Sequence, residues 1–494
     1  MSLKLSVIIS LFFASFAFAQ TGTPNDYLSS QFHKERRAAL RAKMPNNSVA
    51  VFFGNPVRNR ANDVDYVYHQ DPDFYYLTGY KEPNSVLVIF SNDQTNKEGK
   101  TYNEMLYVQE KNPKAEQWTG IRLGTYGAKK ELGFDVAFNG KDFLNSGIDY
   151  ASFSTVQFKE FNDDYRNSKK EEADLYKLVA AFKSQVGYDV KTVPQTDSKL
   201  QKELGLKKNI TTKKAILDTE SIITYMASLR EKKTKEEMVL LTKAVRISAM
   251  GQREVMKAMH PGMSETEIQG LHEFVYKKYG SEFEGYPSIV GAGNNGCVLH
   301  YIENSKTKVE NELILMDLGA EYHGYSADVT RTIPANGKFS PEQRVIYDLV
   351  YDAQEAGIAT AVIGNSISAP DGAARKIISQ GLVKLGIIKT EGDSRKYFPH
   401  GTSHHIGLDV HDPGLYNNFE EDMVLTVEPG IYIPVGSDCD KKWWGIAVRI
   451  EDDILITTNG PVILSAEAPR KSSEIEALMK EKSVFDTLSL PNLD

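Results

Sequence analysis

Two kinds of hydrophobic pattern divide the chain. Residues 48–54, 85–90 and 105–108 are short runs of β-branched and aromatic side chains set between turn-rich stretches, which is a strand pattern. Between them, Asp71-Pro72-Asp73 and Glu82-Pro83-Asn84 read as turns. Residues 169–186 place Leu175, Leu178, Val179 and Phe182 at helical spacing, so this first body is α/β. Residues 191–214 are polar, rich in Lys and Thr and aperiodic, and a linker is expected over 192–231. Beyond it, 234–259 predicts a long helix with apolar residues at Met238, Leu241, Val245, Met250 and Val255, broken at Gly262. Ser264-x-x-Glu267 is a capping box opening the next helix. Ser340-Pro341-Glu342-Gln343 repeats that signature with Pro at the first helical position, and a further helix is expected over 371–385. Strands are expected at 313–318, 329–333, 424–427 and 448–456. Helices gathered before and between mostly hairpin-connected strands predict α+β packing, with helices on one face of a sheet. No short-period repeat and no low-complexity segment interrupts this order.

The N-terminus falls outside both bodies. Lys4 gives a positive start, 5–18 is almost wholly apolar, and Ala17-Phe18-Ala19 is a small-x-small cleavage site. The run is too short for a membrane helix, which needs about 20 residues. No Cys follows the cleavage site, so a lipid anchor is not expected. The expected division is a signal peptide at 1–19, an N-terminal domain at 20–191, the linker at 192–231 and a second domain at 232–494. The mature chain would start at Gln20, exported to a periplasmic or secreted location with no membrane anchor. Composition narrows the function. Forty-one per cent hydrophobic and 25% charged residues in 494 is ordinary globular usage, and a net charge of −8 argues against a nucleic-acid partner. The two cysteines, Cys297 and Cys439, cannot build a thiolate metal site, so any metal must be held by His, Asp and Glu. A bond between the two stays open in an oxidising compartment.

Candidate chemistry is concentrated in the second body. Asp317 ends the apolar run 313–316 and Asp328 precedes Val329-Thr330-Arg331-Thr332. A hairpin turning between Tyr322 and His323, beside Gly324, would put the two aspartates directly opposite each other. Facing carboxylates repel unless a proton or cation lies between them, although exposed hairpin-end aspartates fit the same pattern. Four of the ten histidines, His400, His404, His405 and His411, fall within twelve residues, among glycines that offer little side chain to pack. A surface cluster would read the same. Glu428 ends the apolar strand 424–427 at a Pro-Gly turn, and Arg449 and Glu451 alternate with apolar neighbours on one face of a strand. Two Asp, one His and two Glu make an oxygen-rich donor set. Four carboxylates offset two divalent ions, with Mn2+ favoured and Co2+ or Zn2+ compatible.

The ordered motifs Asn295-Gly-Cys-Val-Leu-His300-Tyr, Met316-Asp317-Leu-Gly-Ala-Glu-Tyr-His-Gly-Tyr-Ser-Ala-Asp328-Val-Thr-Arg-Thr, the histidine segment 400–412, Thr426-Val-Glu428-Pro-Gly and Arg449-Ile-Glu451-Asp-Asp resemble those of the aminopeptidase P group of pita-bread metallopeptidases. Asp73-Phe-Tyr-Tyr-Leu-Thr-Gly-Tyr-Lys-Glu-Pro83 is similar to that family's N-terminal domain, so the resemblance covers most of the chain. It implies an α+β protein: an N-terminal α/β domain, then a catalytic domain with helices packed on a curved, mostly antiparallel sheet. It also implies a dinuclear site held by Asp317, Asp328, His404, Glu428 and Glu451, with Asp328 and Glu451 bridging. Asp317 would bind one metal, and His404 with Glu428 the other. His300, His400 and His411 match the family's active-site histidines. Glu428 is the candidate base or proton shuttle, and His300 and His411 are candidate catalytic donors. His400, Tyr286 and Arg449 stand on the substrate-binding side, and Arg449 is also placed to orient a ligand such as Asp317. A water shared by the two cations would attack the bond before proline and release one N-terminal residue from Xaa-Pro peptides. A homo-oligomer, dimer or tetramer, is the expected assembly. Prolidase uses the same ligands on dipeptides, and a metal-free binding module on this fold would have lost ligands that are all present here. His405 departs from the pattern, since bacterial relatives commonly carry an aromatic residue there, and the leader departs from the usual cytoplasmic enzyme.

Overall fold

The structure, a computed structural model, describes residues 24–162, 164–165, 167–168, 171–188 and 216–487. The expected signal peptide and the first part of the expected linker lie outside the described residues. The strand-patterned runs become Ser48–Phe53, Val86–Thr95 and Thr101–Val108, neighbours in a six-stranded mixed sheet. Pairing Val49 with Phe90 and Val88 with Met105 sorts alternate side chains to opposite faces. On one face Val49, Val51, Val86, Val88 and Phe90 pack with Phe182 of the helix Leu175–Val186 in a core private to this domain. On the other, Ala50, Phe52, Leu87, Ile89 and Leu106 belong to a core that continues through Leu240, Leu241, Val245 and Val255 of the helix Lys235–Ala258. Each large apolar side chain buried there stabilises by about 1.5–3 kcal/mol, so packing as well as the chain joins the two bodies.

Two expectations for this domain change. Asp71-Pro72 is not a turn: Asp71 caps the helix Pro72–Thr78, accepting from Phe74 N, with Pro72 in the first turn. An N-cap acid before Pro and a turn share the same dipeptide, and the buried Phe74, Tyr75 and Tyr76 decide for the helix. The described part of the expected linker also has structure. Leu217–Asp218 is an edge strand of the six-stranded sheet, and Ser221–Arg230 is a helix.

In the second body the capping boxes expected at Ser264 and Ser340 open Glu265–Lys278 and Pro341–Thr360, and a third, at Thr234, opens Lys235–Ala258. A fourth helix covers Ala369–Lys384. Its strands all pair antiparallel and are dominated by two long hairpins, each split in the middle. In the first, Leu313–Asp317 pairs with Thr330–Pro334 in one sheet, while Ala320–Tyr322 pairs with Tyr325–Ser326 in another. In the second, Val424–Val427 pairs with Asp452–Thr457, and Gly430–Ile433 with Ile446–Arg449. The single strand expected over 448–456 is therefore two. The chain changes sheet at Ile450-Glu451 because Glu451 N donates across to Thr330 O (3.1 Å) of the first hairpin rather than to its own partner strand.

The first hairpin also turns one residue later than expected. His323 and Gly324 both have positive φ (50° and 90°), the pair a two-residue type I′ turn requires. A turn one residue earlier would force Tyr322 into that conformation in place of Gly324. Asp317 consequently faces Thr330, not Asp328. The carboxylates still converge, because the strands close up at the split: a Cβ on Gly319 would lie 1.8 Å from Ala327 O. Cys297 and Cys439 are both free thiols. Among the described residues no helix is long and apolar enough to cross a membrane.

Candidate metal centre

The acidic side chains sit at the hairpin splits. Asp317 ends its strand and Asp328 lies just before its partner strand. In the second hairpin, Val427 faces Asp452 and Gly430 faces Arg449, so the same register puts Glu428 opposite Glu451 across the gap. Regular pairing is interrupted at both splits, and the acidic residues stand at those interruptions. The hairpins meet side by side there, and Thr330 Oγ1 donates to Glu451 Oε2 at 2.5 Å.

His404 enters on the loop leading to the strand Val424–Val427. Its backbone N–H donates to Thr426 Oγ1 (3.1 Å), and its Nδ1 lies 3.1 Å from His405 O. A proton on Nδ1 satisfies that carbonyl and leaves the Nε2 lone pair free. Nε2 then stands 3.5 Å from both Asp328 Oδ2 and Glu428 Oε1. One donor atom each from Asp328, His404 and Glu451 lies within 4.8 Å of the other two.

Negative charge outweighs positive in this cluster. Arg449 is the buried cation: it bonds Asp317 Oδ2, donates to Tyr432 Oη (3.0 Å) and to Thr330 Oγ1 (3.2 Å), and lies 4.0 Å from Glu451 Oε2. Tyr286 Oη is 2.6 Å from both Asp317 Oδ1 and Asp328 Oδ1, though it has one proton to give. Burial, with Asp328 beside it, raises the Asp317 carboxyl. Burial, with Asp328 and Asp317 nearby, pushes Glu428 up to about 7, and burial with three acidic neighbours takes Glu451 well above the carboxylate range. His404 also moves up, which for an imidazole favours the charged form: burial would lower it, but Asp328 and Glu428 raise it to about 9. Such a cluster needs added protons or cations. Four carboxylates and one imidazole nitrogen fit hard divalent ions, so the residues suit the dinuclear group that the motifs imply.

Every site residue singled out in the sequence lines one cavity of about 660 Å³: Tyr286, His300, Asp317, Asp328, His400, His404, His411, Glu428, Arg449 and Glu451. His300 and His411 are exposed on its wall, with the His411 ring edge-on to His404 at 4.3 Å. His400 Nε2 is 2.8 Å from Tyr432 Oη, and burial aided by Arg449 pushes its pKa down to about 4, so it is neutral at pH 7. Arg449 and Tyr286 line the cavity with their polar groups bonded to the carboxylates of Asp317 and Asp328. Sequence reading missed Thr330 and Tyr432, which brace Glu451, Arg449 and His400. Both are detectable by alternation, since Thr330 lies two residues from Asp328 and Tyr432 two from Gly430. His405 turns away, buried and edge-on to Tyr416 at 5.1 Å, so its departure leaves the donors untouched.

Two split hairpins and a histidine loop that present carboxylates and an imidazole to one cavity define a metal-dependent hydrolase centre on an α+β scaffold. The model of metallopeptidase family M24 matches residues 239–458, and that of the aminopeptidase P N-terminal domain matches 33–149. Xaa-Pro aminopeptidase from Escherichia coli (strain K12) is 36% identical over 92% of this chain and 98% of its own. Escherichia coli aminopeptidase P solved with the inhibitor Pro-Leu superposes with a TM-score of 0.78 at 34% identity, covering 92% of this chain and 98% of that one. The zinc-substituted form of that enzyme in complex with product gives a TM-score of 0.77 at 34% identity and the same coverage. The chain belongs to the aminopeptidase P family of M24 metallopeptidases.

Proposed function

We propose that this protein is a metal-dependent exopeptidase that releases the N-terminal residue from peptides with proline in the second position. The observation that carries this reading is the convergence of Asp328, His404 and Glu451 within 4.8 Å, flanked by Asp317 and Glu428, in a chain related to Xaa-Pro aminopeptidases. Asp317, Asp328, His404, Glu428 and Glu451 would hold two divalent cations. The oxygen-rich donors favour Mn2+, with Co2+ and Zn2+ compatible. Bound there, the cations supply Lewis-acid activation of water and of the scissile carbonyl.

The remaining roles belong to side chains. Glu428, on the cavity wall, takes a proton and returns it to the leaving prolyl nitrogen, which has no N–H of its own. His411 and His300 donate to the oxyanion that develops on the scissile carbonyl. His400, held neutral and bonded to Tyr432, orients the peptide. Leu299, Ile302, Val410 and Tyr416 give the cavity an apolar wall for the proline ring. Arg449 and Tyr286 keep Asp317 and Asp328 in place.

The same reading includes cleavage of residues 1–19, export to a periplasmic or secreted location without a membrane anchor, and assembly as a dimer or tetramer. N-terminal sequencing from the native host should find Gln20, and an intact Met1 in the active pool would refute export. The substrate test incubates Mn2+-loaded protein with Xaa-Pro-Yaa, Xaa-Ala-Yaa, Xaa-Pro and acetylated Xaa-Pro-Yaa peptides and follows free amino acid. Release from Xaa-Pro-Yaa alone is expected. Preference for Xaa-Pro would move the assignment to prolidase, and equal rates on the alanine peptide would end the proline reading.

A further inference from the structure

The two helices behind the hairpins each send one buried glutamine to a split. Gln252, from Lys235–Ala258, is 0% exposed, and its Nε2 donates to Met316 O (3.0 Å) and Val329 O (2.8 Å). Gln354, from Pro341–Thr360, is also 0% exposed, and its Nε2 donates to Val427 O (3.0 Å) and Asp452 Oδ2 (2.9 Å). The four acceptors belong to the chain neighbours of Asp317, Asp328, Glu428 and Glu451 in turn. Each amide group therefore grips both flanks of one acidic pair.

These acceptors sit where each hairpin passes from one sheet to the next, and a buried carbonyl left unsatisfied costs about 1–3 kcal/mol. A hydroxyl could satisfy one of them. An amide nitrogen carries two N–H groups at a fixed angle, so a single glutamine can tie both strands at a set separation. Two carbonyl acceptors also fix which end of Gln252 faces the hairpin, because its oxygen could bond neither. That oxygen is left buried without a partner, a cost borne at the site where both donors are used. The splits are further joined through Asp452, which accepts from Arg331 Nη2 (2.6 Å), while Arg331 Nη1 donates to Thr330 O (2.9 Å) and Glu451 O (2.6 Å).

We propose that Gln252 and Gln354 are positioning residues that fix the spacing of the acidic pairs Asp317/Asp328 and Glu428/Glu451 and so set the affinity for divalent cations. The inference rests on the metal reading above. Mn2+ is titrated calorimetrically into chelator-treated full-length wild type, Gln252→Met, Gln354→Met and Val350→Ala. Methionine keeps the length of glutamine without its donors. Val350→Ala opens a core cavity one turn from Gln354 on the same helix and removes no hydrogen-bonding group. Loss of an outer ligand partner typically weakens metal binding about 10–100-fold, and that rise in Kd is expected of both methionine variants. Val350→Ala should lower the unfolding midpoint yet bind Mn2+ as wild type does. Methionine variants that bind within twofold of wild type would overturn the proposal alone. A wild type that binds no Mn2+ would overturn the metal reading and the proposal with it. If the methionine variants are insoluble, Gln252→Asn and Gln354→Asn, one methylene shorter, should show the same loss of affinity. Insolubility of all four beside a soluble Val350→Ala would mean the glutamines hold the fold rather than the metal, and would also overturn it.

Discussion

The protein buries charge in two places and treats it in opposite ways. At the junction of the domains, Arg230 donates to Asp73 Oδ1 (2.6 Å) and to Asp412, Lys233 Nζ lies 2.8 Å from Asp412 Oδ2, and Lys159 pairs with Asp73. Each of the two carboxylates has two cations beside it. Burial would raise Asp73 and Asp412, but Lys159 and Arg230 hold the first below the usual range, as Arg230 and Lys233 hold the second. In the cavity, Asp317, Glu428 and Glu451 are all shifted upward, by burial first and then by acidic neighbours, with Asp328 common to all three. A buried network whose carboxylates all have cations beside them is a structural joint. A buried network short of positive charge is a site that awaits a ligand. The two lie within one loop: Asp412 of the joint follows His411 of the cavity wall.

The contrast predicts different losses from the two networks. Asp328→Asn or Glu451→Gln should leave the fold intact by circular dichroism and lower turnover by at least about a hundredfold, since even an outer partner of a ligand is worth about 10–100-fold. Near-normal turnover would show that the cavity is not the reacting centre. Arg230→Met acts on the joint. It leaves Asp73 and Asp412 short of their shared partner and should destabilise by about 3–5 kcal/mol in urea unfolding. An unchanged midpoint would refute the joint.

Much of this site was legible in the sequence, and the exceptions have physical causes. Glu428 and His404 stand in short motifs whose residue types alone advertise oxygen and nitrogen donors. The opposition of Asp317 and Asp328 was misplaced because hydrophobic alternation fixes which face a residue takes, whereas register is set by the turn. Two adjacent positive-φ positions, His323 and Gly324, move that turn by one residue. The break at Ile450-Glu451 was invisible for a different reason. Its cause is a bond from Glu451 N to Thr330 O, 121 residues apart in sequence, and no local pattern carries that. The joint was missed altogether, because Arg230 and Asp412 lie 182 residues apart and each reads as a surface charge on its own.

The joint should also respond to acid. The folded pKa values of Asp73 and Asp412 lie below the unfolded value of about 3.9, so their contribution is complete above that pH and lost as pH falls through the lowered values. Unfolding midpoints of wild type and Arg230→Met should therefore differ widely at pH 7 and draw together toward pH 3. A constant difference would contradict the assigned partners. The smallest effect is expected two residues from Arg230. Lys232 pairs with Glu420 at 2.8 Å with both side chains largely exposed, and Lys232→Ala should cost about 0.5 kcal/mol or less in the same unfolding assay. A loss as large as that of Arg230→Met would mean that burial does not separate the two.

The central claim is that the cavity's uncompensated carboxylates hold two divalent cations. Plasma emission analysis after equilibrium dialysis of wild type and Glu451→Gln against Mn2+ tests it directly. Two ions per chain in wild type and a loss of bound metal in the variant are expected. A wild type that binds none, or a Glu451→Gln protein that still holds two with normal turnover, would contradict it.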